Sequence, residues 1–372
     1  MEPGRQAEMV VAAATPLQRT VAGGRTDYWN DSCALAELEY AMANGGVGAT
    51  SNPTIVGEVL KREFATWGPR VGALARERPA ANDAEICWQV IEEMAVRGAA
   101  LLEPIFRREG GRKGRLSIQT DPTRYRSADA MLAQARHFQT LAPNLNVKFP
   151  TTAAGLVAME AATEAGISVN ATVSFTVAQA LAVGATVERG LAAREAAGHD
   201  TGDMAPVCTI MMGRLDDWLK AVAGRDGVIV DPAASDWAGI AVIKKAAGLY
   251  RERGYRTRLL GAAFRHHRHW SELIGGDVIL TMPYAWAKRF NASAVDVRPR
   301  FDEPVAPSTV AELSARLPDF VAAYAEEGLA PAAFDAYGAT VRTLRAFIAS
   351  YHDLVLQIDE LLLPNPDVKA AS

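Results

Sequence analysis

Lys148 sits in the stretch "NVKFPTT" (146–152), between Val147 and Phe149. Burying an ammonium without a partner costs several kcal/mol or more. A lysine in such a β-branched and aromatic run therefore ends a strand and reaches solvent, is paired with a carboxylate, or gives up its charge. The last of these is chemistry. A neutral amine attacks a carbonyl, and the resulting imine is an electron sink that makes cleavage of a neighbouring bond feasible. An ordinary lysine with a pKa near 10.4 is less than ~0.1% neutral at pH 7, so attack requires desolvation or a nearby cation. Other polar residues close otherwise apolar runs in the same way: Asp31, Asn52, Gln119, Asn170 with Thr172, Thr209, and Arg265. Each alone has a structural explanation. Asn52 before Pro53 and Asp31 can cap the helices that follow, and Thr172 is an ordinary β-branched strand residue. Their recurrence at one run end after another points to a shared site.

An alternation of strands and helices would bring such scattered residues together. "TDYWND" (26–31) precedes the helical "CALAELEYAMANGG", and "VGATSN" (47–52) precedes the helix "TIVGEVLKREFA", which Pro53 opens. A long amphipathic stretch, 83–108, follows. Then come "GRLSIQTD" (114–121) with a helix over 127–141, "NVKFP" (146–150) with 153–165, and "SVNATVS" (168–174) with 176–197. "PVCTIMMG" (206–213) leads to helices around 214–222 and 235–253, "RLLGAAF" (258–264) to a short helix, and "DVILTMP" (277–283) is the last strand. Roughly eight strand–helix units favour a closed (β/α)8 TIM barrel over a doubly wound sheet, with chemistry at the C-terminal ends of the strands. No strand is followed by a dinucleotide glycine fingerprint or a phosphate loop. Beyond about 295 the linker "RPRFDEPVAPST" leads to helical patterns at 308–328 and 333–362. The predicted organisation is a disordered N-terminal tail (1–24), the barrel (25–295), and a C-terminal helical extension (296–372) packed on the barrel or over its mouth.

The 372 residues are 49% hydrophobic and 22% charged, ordinary for a soluble globular protein. A net charge of -4 gives no electrostatic footprint for nucleic acid. The apolar run near the N-terminus is too short to span a membrane, and Glu2 and Glu8 stand where a leader would be basic. No membrane association and a cytoplasmic location are expected. Cys33, Cys87 and Cys208 are odd in number and far apart, and read as buried thiols of a reducing compartment. In "FRHHRHW" (264–270), His266, His267 and His269 do not share one helical face and have no carboxylate-rich partner nearby. No metal is expected there; attraction of an anion beside Arg265 is the reading adopted.

The same residues resemble the transaldolases, class I Schiff-base enzymes on a (β/α)8 barrel, over about residues 26–290. "GVGATSNPTI" is similar to the family's Thr/Ser-Asn-Pro stretch, and "GRLSIQTDP" to its Arg-Leu-Ser strand. "NVKFPTTAAGLVAMEAATEAGISVNATVSFTVAQA" resembles the segment with the Schiff-base lysine and the Asn-x-Thr strand. "MMGRLDDWL" and "GAAFR" resemble the two phosphate-binding segments. The resemblance implies that Lys148 forms the imine and Asp31 is the acid/base partner. It implies that Asn52 and Asn170 bind the dihydroxyacetone moiety, that Thr172 positions a catalytic water, and that Thr209 lies near the substrate hydroxyls. Arg214 and Arg265 would hold a terminal phosphate, a role suited to the guanidinium fork.

Three positions depart from the family's pattern. Gln119 stands where transaldolase proper has a glutamate, as in the fructose-6-phosphate aldolase branch; glutamine can position water but cannot take its proton. Ala263 replaces a serine of the phosphate site, and Met211 replaces a common aromatic residue. The function expected is reversible C–C cleavage of a phosphorylated or otherwise anionic ketose through Lys148, transferring a dihydroxyacetone unit to an aldehyde. The substrates would be small ketoses and aldehydes, with no cofactor, and a homodimer is compatible with the reading. An aldolase releasing dihydroxyacetone is the alternative within the class, and a non-catalytic sugar-phosphate-binding barrel the alternative outside it. Pyridoxal phosphate on Lys148 would need a glycine-rich phosphate cup that the sequence lacks.

Overall fold

The computed structural model describes residues 13–367. The apolar runs become strands β1 (Asp27–Asn30), β2 (Gly46–Thr50), β3 (Arg115–Gln119), β4 (Leu145–Pro150), β5 (Val169–Ser174), β6 (Val207–Ile210), β7 (Arg258–Gly261) and β8 (Val278–Met282). Each pairs in parallel with the next, and β8 pairs with β1, so the barrel closes in sequence order. A helical segment follows every strand, giving the (β/α)8 barrel expected from the alternation. Among the described residues no helix is long and apolar enough to cross a membrane.

Successive strand residues point to opposite faces, and this period of two sets the contents of the barrel. Val147, Phe149, Val169, Ala171, Cys208, Ile210, Leu259 and Leu280 join the main core, which also takes in the surrounding helices. Trp29, Val207, Leu260, Ala262 and Ile279 form a separate small cluster from neighbouring strands β6, β7, β8 and β1. Across β3, β5 and β6 the inward residues are polar instead. Asn170 Nδ2 donates to Ser117 Oγ at 3.0 Å, and Thr209 Oγ1 donates to Asn170 Oδ1 at 2.7 Å. Gly48 is required by this interior, because a Cβ there would lie 2.5 Å from the Trp29 ring.

The predicted disordered tail is corrected in its described part. Pro16–Val21 is a helix, capped by Thr15 and Gln18 in a reciprocal capping box. Leu17 is fully buried, its amide donates to Asn291 Oδ1 at 3.0 Å, and Trp270 Nε1 donates to Thr20 Oγ1 at 3.0 Å. The local signal for this helix is the cap in "TPLQ", Thr15 with Gln18, and not the apolar run before it. Residues 1–12, the rest of that prediction, lie outside the described residues. The C-terminal patterns also divide further than predicted, into Pro307–Arg316, Pro318–Tyr324, a 3-10 turn at Pro331–Ala336 and the long helix Gly338–Leu362. Pro318 has no amide hydrogen to continue the first of these, so the chain restarts there. The long helix packs on Pro53–Arg62, Phe64–Glu77, Asp83–Arg108 and Met212–Asp226.

Candidate active site

Lys148 lies in β4 with 5% exposure, and its Nζ donates to the Ser51 carbonyl at 3.2 Å. Burial pushes the amine's pKa down to about 8, against the opposing pull of Asp31. Asp31 follows β1 directly; its amide still makes the ladder bond to Met282 O at 2.9 Å. Thr50 Oγ1 donates to Asp31 Oδ1 at 2.6 Å and lies 2.7 Å from Thr281 Oγ1. Burial lifts the Asp31 carboxyl above its usual range, while Lys148, the Thr50 hydroxyl and Arg214 oppose the rise. The structure thus sets a readily neutralised amine beside a buried carboxyl whose pKa lies above the usual carboxylate range.

A cavity of about 340 Å³ is lined by Asp31, Asn52, Lys148, Thr172, Thr209, Met211, Arg214, Ala263 and Arg265, among others. Asn52 caps helix Pro53–Arg62 by accepting from the Ile55 amide at 3.0 Å, so its Nδ2 is the part left for a ligand. Thr172 Oγ1 lies 4.0 Å from Met211 Sδ. The Arg214 guanidinium sits 5.1 Å from the Phe347 ring centroid; burial, then repulsion from Arg265, lowers its pKa. Arg265 donates from Nε and Nη2 to Asp217 Oδ2 at 3.0 and 2.8 Å.

Gln119 and Asn170 are the neighbours of Lys148 across the sheet, in register on β3 and β5. Gln119 Oε1 is buried without a protein partner, whereas Asn170 is engaged by Ser117 and Thr209 through its two polar atoms. The sequence reading passed over Thr50, Ser51, Thr281 and Phe347. The first two adjoin Asn52 in "GATSN" and Thr281 closes β8, so the run-end criterion could have included them. Phe347 comes from the C-terminal helix and has no local signal. At the opposite end of the barrel a second cavity of about 280 Å³ is lined by Asp27, Lys113, Arg258 and Asp277 among others. There Lys113 and Arg258 pair with Asp27, and Arg258 also with Asp277.

The histidine reading needs correction. A carboxylate does lie nearby: Asp216, from helix Met212–Asp226, accepts from His269 Nε2 at 2.9 Å and stands 3.7 Å from His266 Nε2. It is remote in sequence and is brought in because β6 and β7 are neighbours. Asp216, His266 and His269 offer donor atoms within 4.8 Å of one another, a spacing that could suit a metal. The bonding argues against it. His269 Nδ1 accepts from the Arg265 amide at 3.1 Å, so the ring's proton is on Nε2 and that nitrogen has no lone pair to give.

The sequence profile described as Transaldolase/Fructose-6-phosphate aldolase matches residues 28–341. The chain belongs to that family. Its relatives include a transaldolase of Thiobacillus denitrificans, 33% identical over 223 residues, which are 59% of this chain and 60% of the relative. A transaldolase of Neisseria gonorrhoeae is 29% identical over 269 residues, 68% of this chain and 76% of the relative. One from a Parafrankia species is 29% identical over 332 residues, covering 79% and 86%. The segments with the transaldolase-like strand ends, from Asp31 to Arg265, all lie within the residues matched to the family.

Proposed function

We propose that this transaldolase-family enzyme cleaves and forms a C–C bond of an anionic ketose through an imine on Lys148, passing a dihydroxyacetone unit to an aldehyde. The observation that carries the reading is the Lys148 amine, buried and held near a pKa of about 8 on a cavity shared with Asp31, Arg214 and Arg265. Roughly a tenth of such an amine is neutral at pH 7, at least a hundred-fold more than for an ordinary lysine.

The amine adds to the ketose carbonyl and loses water to give an iminium. Ionised Asp31 takes the proton of the hydroxyl two carbons along the chain from the former carbonyl. The C–C bond between that carbinol carbon and the carbon next to the iminium breaks, releasing an aldehyde, and its electron pair passes into the iminium to leave an enamine. Attack of the enamine on a second aldehyde, with Asp31 returning the proton to the new hydroxyl, re-forms an iminium, and addition of water releases the product ketose and the free Lys148 amine. Arg214 and Arg265 clamp the anionic end of the sugar by charge-assisted hydrogen bonds. Asn52 holds the three-carbon unit, Thr172 a water, and Thr209 the substrate hydroxyls. From the strands on either side of Lys148, Asn170 contacts the three-carbon unit and Gln119 positions water. The cytoplasm is the compartment this reading assigns, in keeping with three buried free thiols.

Hydrolysis of the enamine-derived imine would release dihydroxyacetone instead. Product analysis with and without an acceptor aldehyde separates the two outcomes. The test of the imine is borohydride reduction with fructose 6-phosphate and a panel of other ketoses. A mass increase on the peptide containing Lys148, absent in Lys148→Ala, is expected. No adduct with any donor, or one that survives Lys148→Ala, overturns the reading.

A further inference from the structure

Behind the cavity, a chain of hydrogen bonds ends on the backbone of Arg265. Asp216 is 1% exposed in its side chain and is satisfied entirely by protein: Oδ1 accepts from the Gly239 amide at 2.9 Å, and Oδ2 from His269 Nε2 at 2.9 Å. His269 is fully buried, and its Nδ1 accepts from the Arg265 amide at 3.1 Å. An ionised carboxylate only accepts and an amide N–H only donates, so the imidazole between them is restricted to one tautomer.

The turn that this chain of bonds holds is tightly packed. Ala263 has φ +63°, in the left-handed region. A Cβ on Gly213 would lie 1.9 Å from the Ala263 carbonyl oxygen and 2.7 Å from Arg265 Cγ. Gly213, Arg214 and Asp216 share one helix, Met212–Asp226. Ala263, Arg265 and His269 share the segment after β7, so the Asp216–His269 bond ties together the two pieces of chain that carry the arginines. His266 stacks on His269 with ring centroids 3.9 Å apart, and its Nε2, 3.7 Å from Asp216 Oδ2, is too distant to compete for the bond. Phe264 meets His269 edge-on at 6.1 Å.

We propose that Asp216 and His269 are positioning residues for an oxyanion of the phosphate or sulfonate type. By fixing the imidazole with its lone pair toward the Arg265 amide, they set the turn from which the Arg265 guanidinium meets the anion beside Arg214. The inference rests on the reading of Arg214 and Arg265 as the anion clamp. It does not need the Lys148 imine.

Calorimetric titration with inorganic phosphate tests it on the full chain. In Asp216→Asn the side-chain oxygen still accepts from Gly239, which leaves its N–H facing His269 Nε2. The imidazole then carries its proton on Nδ1, opposed to the Arg265 amide. His269→Asn places a carbonyl oxygen near the position of Nδ1, whereas His269→Gln reaches only the position of Nε2. The expected result is that D216N and H269Q weaken phosphate binding about ten-fold or more, while H269N stays within about three-fold of the parent. With an anionic ketose donor the same two variants should raise KM and leave kcat nearly unchanged. Nitrogen NMR of the parent protein, which requires no variant to fold, should show His269 protonated on Nε2 and not on Nδ1. A protonated Nδ1, equal phosphate affinities for H269N and H269Q, unchanged affinity in D216N, or no phosphate binding by the parent would each overturn the proposal. Loss of the graded phosphate response with the Lys148 adduct intact defeats only the clamp; graded binding without an adduct defeats only the imine.

Discussion

Lys148 is costly to the fold for the same reason that it is reactive. Its folded pKa of about 8 lies below the ~10.4 of an unfolded lysine, so the unfolded chain binds more protons between those values. The penalty of about 3 kcal/mol is therefore complete below pH ~8, is relieved as pH rises through the window, and is gone above ~10.4. Lys148→Met should abolish turnover yet raise stability at pH 7 by roughly 2–3 kcal/mol, and the gain should vanish by about pH 11. Urea unfolding at the two pH values measures this, and a destabilised variant at pH 7 would show that the amine is not buried as a charge. Asp31→Asn keeps the bond from Thr50 but cannot take a proton, so turnover should fall on the order of 10²-fold or more, with Lys148 still trapped by borohydride. The sequence revealed these two residues because each closes an apolar run. It did not reveal that Asn170 is bonded to Ser117 and Thr209 through both its polar atoms, because a period of two identifies the face of a strand and not the partners across it. The Asp216–His269 pair, 53 residues apart, had no local signature at all.

The element most specifically shaped for the site is β5. Its ladder with β6 shifts register between Ala171 and Ser174, and Val173 takes φ +58° there, which a β-branched residue seldom does. Gln179, fully buried in the following helix, holds this bulge in place. Its Nε2 donates to Val173 O at 3.2 Å and Thr151 O at 3.3 Å, and its Oε1 accepts from the Phe175 amide at 2.9 Å. Gln179→Leu leaves those backbone groups buried and unpaired, for a loss of roughly 3 kcal/mol or more. It should also lower turnover, because Thr172 is the residue before the strained one. Thermal melts and kcat together measure this; unchanged turnover in a folded variant would mean that the bulge serves packing alone. Element types were legible where periodicity was strong, and the limits of helix Asp83–Arg108 came out as predicted. Short elements were not legible in the same way. The run read as one helix from Pro53 divides at Glu63, and the six-residue helix Pro16–Val21 is fixed by its cap and its tertiary partners more than by any pattern of its own.

At the scale of the molecule, repetition of the strand–helix unit made the closed barrel readable, since a parallel sheet of that many strands has few other ways to bury both faces. The relation of the C-terminal helix to the barrel is not legible in the sequence because it depends on contacts between residues far apart in it. In the structure Leu344, Phe347, Tyr351, Leu354 and Ile358 of that helix belong to the same core cluster as Val56, Val59 and Leu60 behind β2. Gly338 begins the helix where a Cβ would lie 1.9 Å from the Trp218 ring, so the helix is seated directly on Met212–Asp226 as well. Five large side chains at about 1.5–3 kcal/mol each amount to roughly 10 kcal/mol, comparable with the whole stability of a typical domain. A chain ending at Tyr337 should therefore lose cooperative unfolding and expose apolar surface to dye, while one ending at Leu363 should melt like the parent. Phe347 lines the cavity and faces Arg214, so any folded remnant of the shorter chain should also bind anionic ketoses poorly. If the chain ending at Tyr337 instead unfolds in one transition at the parent's urea midpoint, the helix is a separable cover and the barrel is stable without it.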